Sequence, residues 1–191
     1  SRGGLILAKG DPELAKKLNG GLFPGLQGGP LMHHIAAKAV TFFEAMQPEF
    51  ISYQHRVRQN ADALLDACVK YGITPVFPTT HNHQILVDCR TFNLSGKDAE
   101  IALGQVHISL NRNTIPNDPL PPMQSSGCRL GTAAITTRGL LPDDMPIIAQ
   151  AIAKTLENPT DTAQRTKTQD TILDLCQHYP LPAHNENSID D

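Results

Sequence analysis

Phe23-Pro24-Gly25-Leu26-Gln27-Gly28-Gly29-Pro30-Leu31-Met32-His33-His34 sets a glycine-dense turn directly ahead of a strongly patterned helix. Glycines at 25, 28 and 29 let the backbone reach conformations closed to other residues. Pro30 suits a first helical position, where its missing N–H has no helical partner to lose. Backbone donors at such a junction point outward at the positive end of a helix dipole. A phosphate or carboxylate docking there gains roughly 0.3–1 kcal/mol from the dipole. The spacing is neither a Walker loop nor a dinucleotide fingerprint, so on spacing alone a purely steric helix entry stays open beside an anion cradle.

Outward from this turn, Leu31, Ile35, Ala39, Phe42, Phe43 and Met46 recur at helical spacing as one apolar stripe, and Pro48 is expected to close that helix. Upstream, Leu5 to Lys9 predicts a short buried strand. Asp11-Pro12-Glu13 supplies a cap, a proline and an acidic first turn for a brief helix to about Asn19, stopped by Gly20-Gly21. Downstream, Glu49 to Tyr71 predicts a helix with Tyr53, Val57, Ala61, Leu64, Leu65 and Cys68 on one side and Gly72 as a left-handed cap. Strands are expected over Ile73–Phe77, Gln84–Arg90, His107–Asn111 and Arg129–Ala133, with helices between them. Ser95-Gly96-Lys97-Asp98 opens one helix, Asp143 another to about Asn158, and Thr162–Tyr179 forms the last. Alternating strands and helices imply an α/β or α+β layer, with Pro48 as the hinge before a small domain over 48–182. Residues 183–191 are polar and acidic, a composition that frays.

Composition narrows the function classes. Apolar content of 40%, charged content of 18% and a mean hydropathy of −0.25 over 191 residues describe a soluble globular protein able to bury a core. No apolar run approaches the ~18 residues of a membrane span, and no signal-peptide pattern opens the chain, which fits a cytoplasmic setting. A net charge of −3 without a clustered basic face argues against nucleic acid as the main partner. Cys68, Cys89, Cys128 and Cys176 are widely spaced, which favours free buried or half-buried thiols over disulfides or zinc. His33-His34 project about 100° apart on a helix, one packed and one exposed. His81 and His83 share strand spacing without a Cys or carboxylate to complete a metal set.

Arg129, between Gly127 and Gly131, offers a planar guanidinium whose paired donors match a carboxylate. A structural arginine paired with a nearby acid is the alternative that residue type leaves open. Asn113 can present donor and acceptor together, yet Asn ahead of a proline-rich turn commonly bonds its own backbone. Arg138, before Gly139, reads as structural or electrostatic support.

Four ordered stretches resemble the serine hydroxymethyltransferase (glycine hydroxymethyltransferase) family of pyridoxal-phosphate enzymes. They are Arg2-Gly3-Gly4-Leu5-Ile6-Leu7, the Phe23–His34 turn, Asn113-Thr114-Ile115-Pro116-Asn117-Asp118-Pro119, and Ser126-Gly127-Cys128-Arg129-Leu130-Gly131-Thr132-Ala133-Ala134-Ile135-Thr136-Thr137-Arg138-Gly139. The resemblance runs from residue 2 to about Pro182. It implies an α/β pyridoxal-phosphate-dependent transferase fold (aspartate aminotransferase-like, fold type I). Residues 1–47 would end the cofactor-binding large domain with its connecting helix, and 48–182 would form the small C-terminal domain. It further implies reversible conversion of serine and tetrahydrofolate to glycine and methylenetetrahydrofolate. Arg129 would hold the amino-acid carboxylate, Asn113 the folate, Arg2 would lie near the active site, and Gly28 and Gly29 would reach the cofactor phosphate of a neighbouring subunit in a homodimer or larger homo-oligomer.

The family's Schiff-base lysine lies a few residues before its Arg-Gly-Gly strand, so it is expected ahead of Ser1, together with the other ring contacts. No catalytic residue is then expected within these 191 residues, and the isolated chain is expected to lack turnover. A truncated or split chain that only assembles with a full-length subunit or binds folate is the alternative, and another fold type I enzyme, such as an aminotransferase or threonine aldolase, is a third. The folate-like loop weighs against the third.

Overall fold

The computed structural model describes residues 2–181, and the polar tail expected at 183–191 lies outside the described residues, as does Pro182. The chain divides between Ile51 and Ser52 into two compact units.

In the first unit, α1 (Pro12–Gly20) begins as its residues dictate, with the Asp11 carboxylate accepting from the Leu14 N–H at 3.0 Å. The helix ends at Gly20 with Gly21 as its cap, as expected. Both glycines take right-handed angles, and Gly21–Leu26 follows as a kinked turn in which Phe23 is extended (φ −136°, ψ 126°) and the Gln27 N–H donates to the Leu22 carbonyl at 2.8 Å. The next helix, α2 (Met32–Ala45), starts two residues beyond Pro30. Leu31 is extended (φ −85°, ψ 92°), and its carbonyl takes the first bonds, from His34 and Ile35. Pro30 therefore precedes the cap instead of occupying the first helical position. Pro48, expected to close α2, opens α3 (Pro48–Lys70), where a missing N–H costs nothing.

Leu5 to Lys9 is not a buried strand. A strand satisfies its backbone by pairing, and among the described residues no strand pairs with this segment. Leu5, Ile6 and Leu7 stay exposed, Leu7 by 84%. The stripe Leu31, Ile35, Phe42, Phe43 and Met46 is also uncovered, because helical spacing decides which side chains share a face and not what covers them.

The second unit is built on α3 and a four-stranded antiparallel sheet in the order β1-β2-β4-β3. Val57, Ala61, Leu64, Leu65 and Cys68 bury one side of α3. Gly72 ends the helix with φ 76°, where the Ile73 N–H donates to the Cys68 carbonyl and the Gly72 N–H to that of Val69, a Schellman closure. The strands are β1 (Thr74–Pro75), β2 (Gln84–Asp88), β3 (Asn111–Asn113) and β4 (Gly127–Gly131).

All four expected strands differ at their ends, for local reasons. β1 is short, Thr74–Pro75, although the Val76 N–H still donates to the Leu86 carbonyl at 2.8 Å just beyond it. β2 stops at Asp88, whose carboxylate accepts from the Arg90 N–H and turns the chain into a 3-10 segment, Cys89–Phe92. β3 sits later than His107–Asn111 because His107 is left-handed (φ 63°) and closes α4 (Gly96–Gly104), with the Ile108 N–H donating to the Leu103 carbonyl. β4 ends at Gly131 because Thr132 turns to helical ψ and opens α5 (Ala133–Arg138), a helix the sequence pattern did not mark. Ser95 caps α4 as expected. The Asp143 start resolves into a 3-10 turn, Pro142–Asp144, ahead of α6 (Met145–Glu157), and α7 (Thr162–His178) follows.

Burial alternates along β4, with Cys128 and Leu130 buried and Arg129 exposed. Ile85 and Val87 of β2 share the buried face. They pack with Leu64 and Cys68 of α3, Ala99 and Leu103 of α4, and Met145, Ile152 and Leu156 of α6. Each large aliphatic chain buried here contributes roughly 1.5–3 kcal/mol. The unit is a mixed α/β layer with helices on one face. The other face carries Gln84, Leu86, Asn111, Asn113 and Arg129, brought together by the pairings Leu86 with Arg129, Asn111 with Arg129, and Asn113 with Gly127.

Candidate functional site

A cavity of about 580 Å³ opens on that second face, lined by Arg129, Asn113, Gln84 and Leu86 from the sheet and by the loop from Phe77 to Asn82. The register thus brings together Arg129 and Asn113, separated by sixteen positions of chain. Among the described residues the Arg129 guanidinium has no hydrogen bond or ion pair. Several other arginines of the unit are committed. Arg90 pairs with Asp88, Arg112 with Glu100, and Arg58 with Asp62. Arg138 is structural, donating to the Tyr179 carbonyl at 2.7 Å and that of Cys176 at 2.9 Å. An exposed cation on a rigid strand, without an acid beside it, has its full fork of donors available to an incoming carboxylate.

Asn113 donates one amide proton to the Thr114 carbonyl at 2.7 Å, the local bond expected of Asn at such a turn. Its carbonyl oxygen has no partner among the described residues. The loop that follows is tied by Asp118, which accepts from the N–H groups of Ile115 (3.1 Å), Leu120 (2.9 Å) and Ser126 (2.8 Å) and from the Ser126 hydroxyl (2.6 Å). Desolvation pushes this carboxyl upward, but the hydroxyl and the three N–H donors outweigh it and hold it at about 2. Gly127 lets β2, β4 and the loop approach closely. A Cβ there would lie 2.6 Å from Ile115 Cγ2, 2.7 Å from the Val87 carbonyl oxygen and 3.0 Å from that of Asn113. Arg112 is fastened to Glu100 through its backbone N–H and its guanidinium, anchoring β3 on α4 next to Asn113.

The loop opposite Arg129 is also fastened. The Thr80 hydroxyl donates to the Gln84 carbonyl at 2.7 Å, the Asn82 side-chain oxygen accepts from the Gln84 N–H at 2.7 Å, and the Thr132 N–H donates to the His83 carbonyl. His81 and His83 precede β2 and so do not share a strand face as their spacing predicted; His81 lines the cavity. Sequence reading missed Asp118, Arg58 and this loop. Only Asp118, inside Asn117-Asp118-Pro119, carried a local signal, because Asp ahead of Pro is a turn former.

In the first unit a second cavity, about 1150 Å³, is lined by Arg2, Gly3, Gly28, Gly29, His34 and Lys38 among others. Lys38 Nζ donates to the Gly4 carbonyl at 3.3 Å. A Cβ placed on Gly28 or Gly29 would meet no atom within 4 Å, and neither residue has a positive φ. Packing does not demand glycine at either place; the pair leaves open space in a wall that carries cations, the donor chemistry an anionic group such as a phosphate requires. His33 is exposed and His34 half-buried, as adjacency on a helix requires.

No group of His, Cys, Asp or Glu among the described residues could hold a metal ion, and no described helix is long and apolar enough to cross a membrane. Cys68, Cys89 and Cys128 are buried free thiols and Cys176 is half-buried. Burial pushes Cys68 up to about 12, and contact with Cys89, then burial, raises Cys128. Cys68 and Cys128 are poor nucleophiles in that state.

Comparison with known proteins places this geometry in context. The family model described as Serine hydroxymethyltransferase matches residues 1–152. Proteins named serine hydroxymethyltransferase are similar to this chain: one from Xanthomonas campestris pv. campestris (strain B100) is 51% identical over 181 residues, and one from Francisella tularensis subsp. novicida (strain U112) is 47% identical over 180. Each match covers 94% of this chain and 43% of the relative, so the chain spans less than half the length of the curated relatives it matches.

Proposed function

Because the chain belongs to the serine hydroxymethyltransferase family, we propose that it forms the C-terminal part of an enzyme interconverting serine and tetrahydrofolate with glycine and methylenetetrahydrofolate. The observation that carries this is the uncommitted Arg129 on the open sheet face, in one cavity with Asn113. In this reading the small domain is residues 48–182, residues 1–47 end the large domain of a fold type I enzyme, and the protein works as a cytoplasmic homo-oligomer.

Arg129 binds the amino-acid carboxylate through two parallel N–H donors, which fixes the substrate's rotation as well as its position. Asn113 offers its free carbonyl oxygen to the edge of the folate pterin, while the Asp118 knot and the close packing at Gly127 keep the strand beneath it still. Gly28 and Gly29, with open space where side chains would stand, reach the phosphate of the pyridoxal phosphate held by a neighbouring subunit, and Arg2 lies near the active site on the substrate side. The cofactor, when bound, supplies the electron sink for breaking a bond to the amino-acid α-carbon. The residues described here bind and orient, and the 191 residues alone are expected to show no turnover; a measured turnover would overturn that.

The test is serine binding to the native protein and its Arg129→Ala variant by calorimetry. Loss of a charge-assisted pair worth about 1.5–3 kcal/mol weakens binding roughly 10- to 150-fold, and unchanged affinity refutes the carboxylate role. Cofactor retention in Gly29→Val tests the phosphate cradle independently, with normal retention as the refuting result.

A further inference from the structure

We propose that Arg58, on α3, is a positioning residue that holds the loop from Pro78 to His83 as the wall facing Arg129, and so sets the affinity of the cavity for its ligand. The inference rests on the reading of that cavity as the amino-acid site. Arg58 Nη1 donates to the Thr80 carbonyl at 2.9 Å and to the Asn82 carbonyl at 3.0 Å, while Nη2 donates to both Asp62 carboxylate oxygens at 3.2 and 3.3 Å. One planar group therefore clamps two loop carbonyls from outside the cavity and is itself aimed by an acid one helical turn along.

What the clamp holds faces the ligand. Thr80, His81, Asn82 and Gln84 all line the cavity. The Thr80 hydroxyl and the Asn82 side-chain oxygen are spent on Gln84. The Asn82 amide nitrogen, the His81 ring and the Gln84 carboxamide have no partner among the described residues, and these donors suit the oxygen atoms of a ligand whose carboxylate sits on Arg129. The loop contains Pro78 and is irregular from Phe77 to His83, so few backbone bonds hold it by themselves. Without the clamp, the ligand-competent loop becomes one conformation among several, and apparent affinity falls by the fraction that remains competent.

The experiment pairs two readouts on the native protein: serine affinity by calorimetry, and hydrogen exchange of the backbone amides of residues 79–83. Arg58→Ala is expected to lower affinity about tenfold and to speed exchange in that loop. Arg58→Lys keeps the charge but cannot fork, so it loses less of both and serves in its own right if the alanine variant does not fold. Asp62→Asn weakens the aim but leaves both carbonyl contacts available, so it is expected to lose less of both than Arg58→Ala. Unchanged affinity in both Arg58 variants overturns the proposal, as does weaker binding without faster loop exchange, or an equal loss in Asp62→Asn. The two levels separate cleanly: if Arg129→Ala weakens binding and Arg58→Ala does not, only the clamp fails. If Arg129→Ala itself binds serine normally, the reading of the cavity fails.

Discussion

Adding one methyl group at Gly127 should be among the most damaging small changes in the second unit. Gly127 begins β4, paired with Asp88 of β2 on one side and Asn113 of β3 on the other. A Cβ would fall 2.6 Å from Ile115 Cγ2 and 2.7 and 3.0 Å from two carbonyl oxygens, and the oxygens belong to backbone locked in the sheet. The Ile115 methyl can rotate aside, but the carbonyls cannot move without lengthening ladder bonds. The Gly127 carbonyl also lies against Gly96 at the start of α4, which blocks a retreat in that direction. Overpacking typically costs 1–3 kcal/mol, and with backbone on two sides the upper end applies, about 3 kcal/mol. For a domain of this size that lowers Tm by about 6–12 °C. Gly131→Ala on the same strand is the control, since its nearest neighbour would be the His83 carbonyl oxygen at 3.9 Å, an ordinary contact; it should stay within about 0.5 kcal/mol of wild type. Denaturant unfolding followed by circular dichroism reads both. A Gly127→Ala protein less than about 1 kcal/mol destabilised would refute the close-packing argument.

Asp118 titrates at about 2 in the folded chain against an ordinary 3.8, so the folded state binds fewer protons between those values. Its stabilising contribution is complete above about 3.8 and is lost as pH falls toward 2, and Asp118→Asn should flatten that acid limb of stability against pH; an unaltered limb would show that the knot does not carry it. Leu103 is fully buried, and Leu103→Ala should cost about 2–5 kcal/mol in urea unfolding, with a loss under 1 kcal/mol contradicting its place in the core. Arg138 spends its donors on the end of α7, so Arg138→Ala should lower Tm while leaving serine affinity within about twofold; a large affinity loss would move it into the ligand site.

Much of the second unit was legible in the chain because its signals are local. Ser95 and Asp161 cap helices with their own side chains, Gly72 meets a left-handed requirement, and the α3 stripe buries as its spacing predicts. The misplaced strand ends share one cause. Asp88, His107 and Thr132 each stop or delay a strand through a hydrogen bond or backbone angle that depends on what lies next to it, and apolar periodicity carries no trace of that. Leu5 to Lys9 failed for a related reason, since a strand exists only where another strand accepts it.

For the site, the chain by itself determined chemistry: a guanidinium at 129 fit for a carboxylate, a carboxamide at 113, glycines at 28 and 29. Tertiary structure decided which of these meet and which are free. Antiparallel register, a matter of which residue faces which across two strands, put Arg129 and Asn113 on one open face. Packing gave Arg138, Arg112, Arg90 and Arg58 their partners and left Arg129 without one among the described residues. An arginine's chemistry is the same at every position in a sequence, and only its three-dimensional neighbours determine whether its donors are already spent.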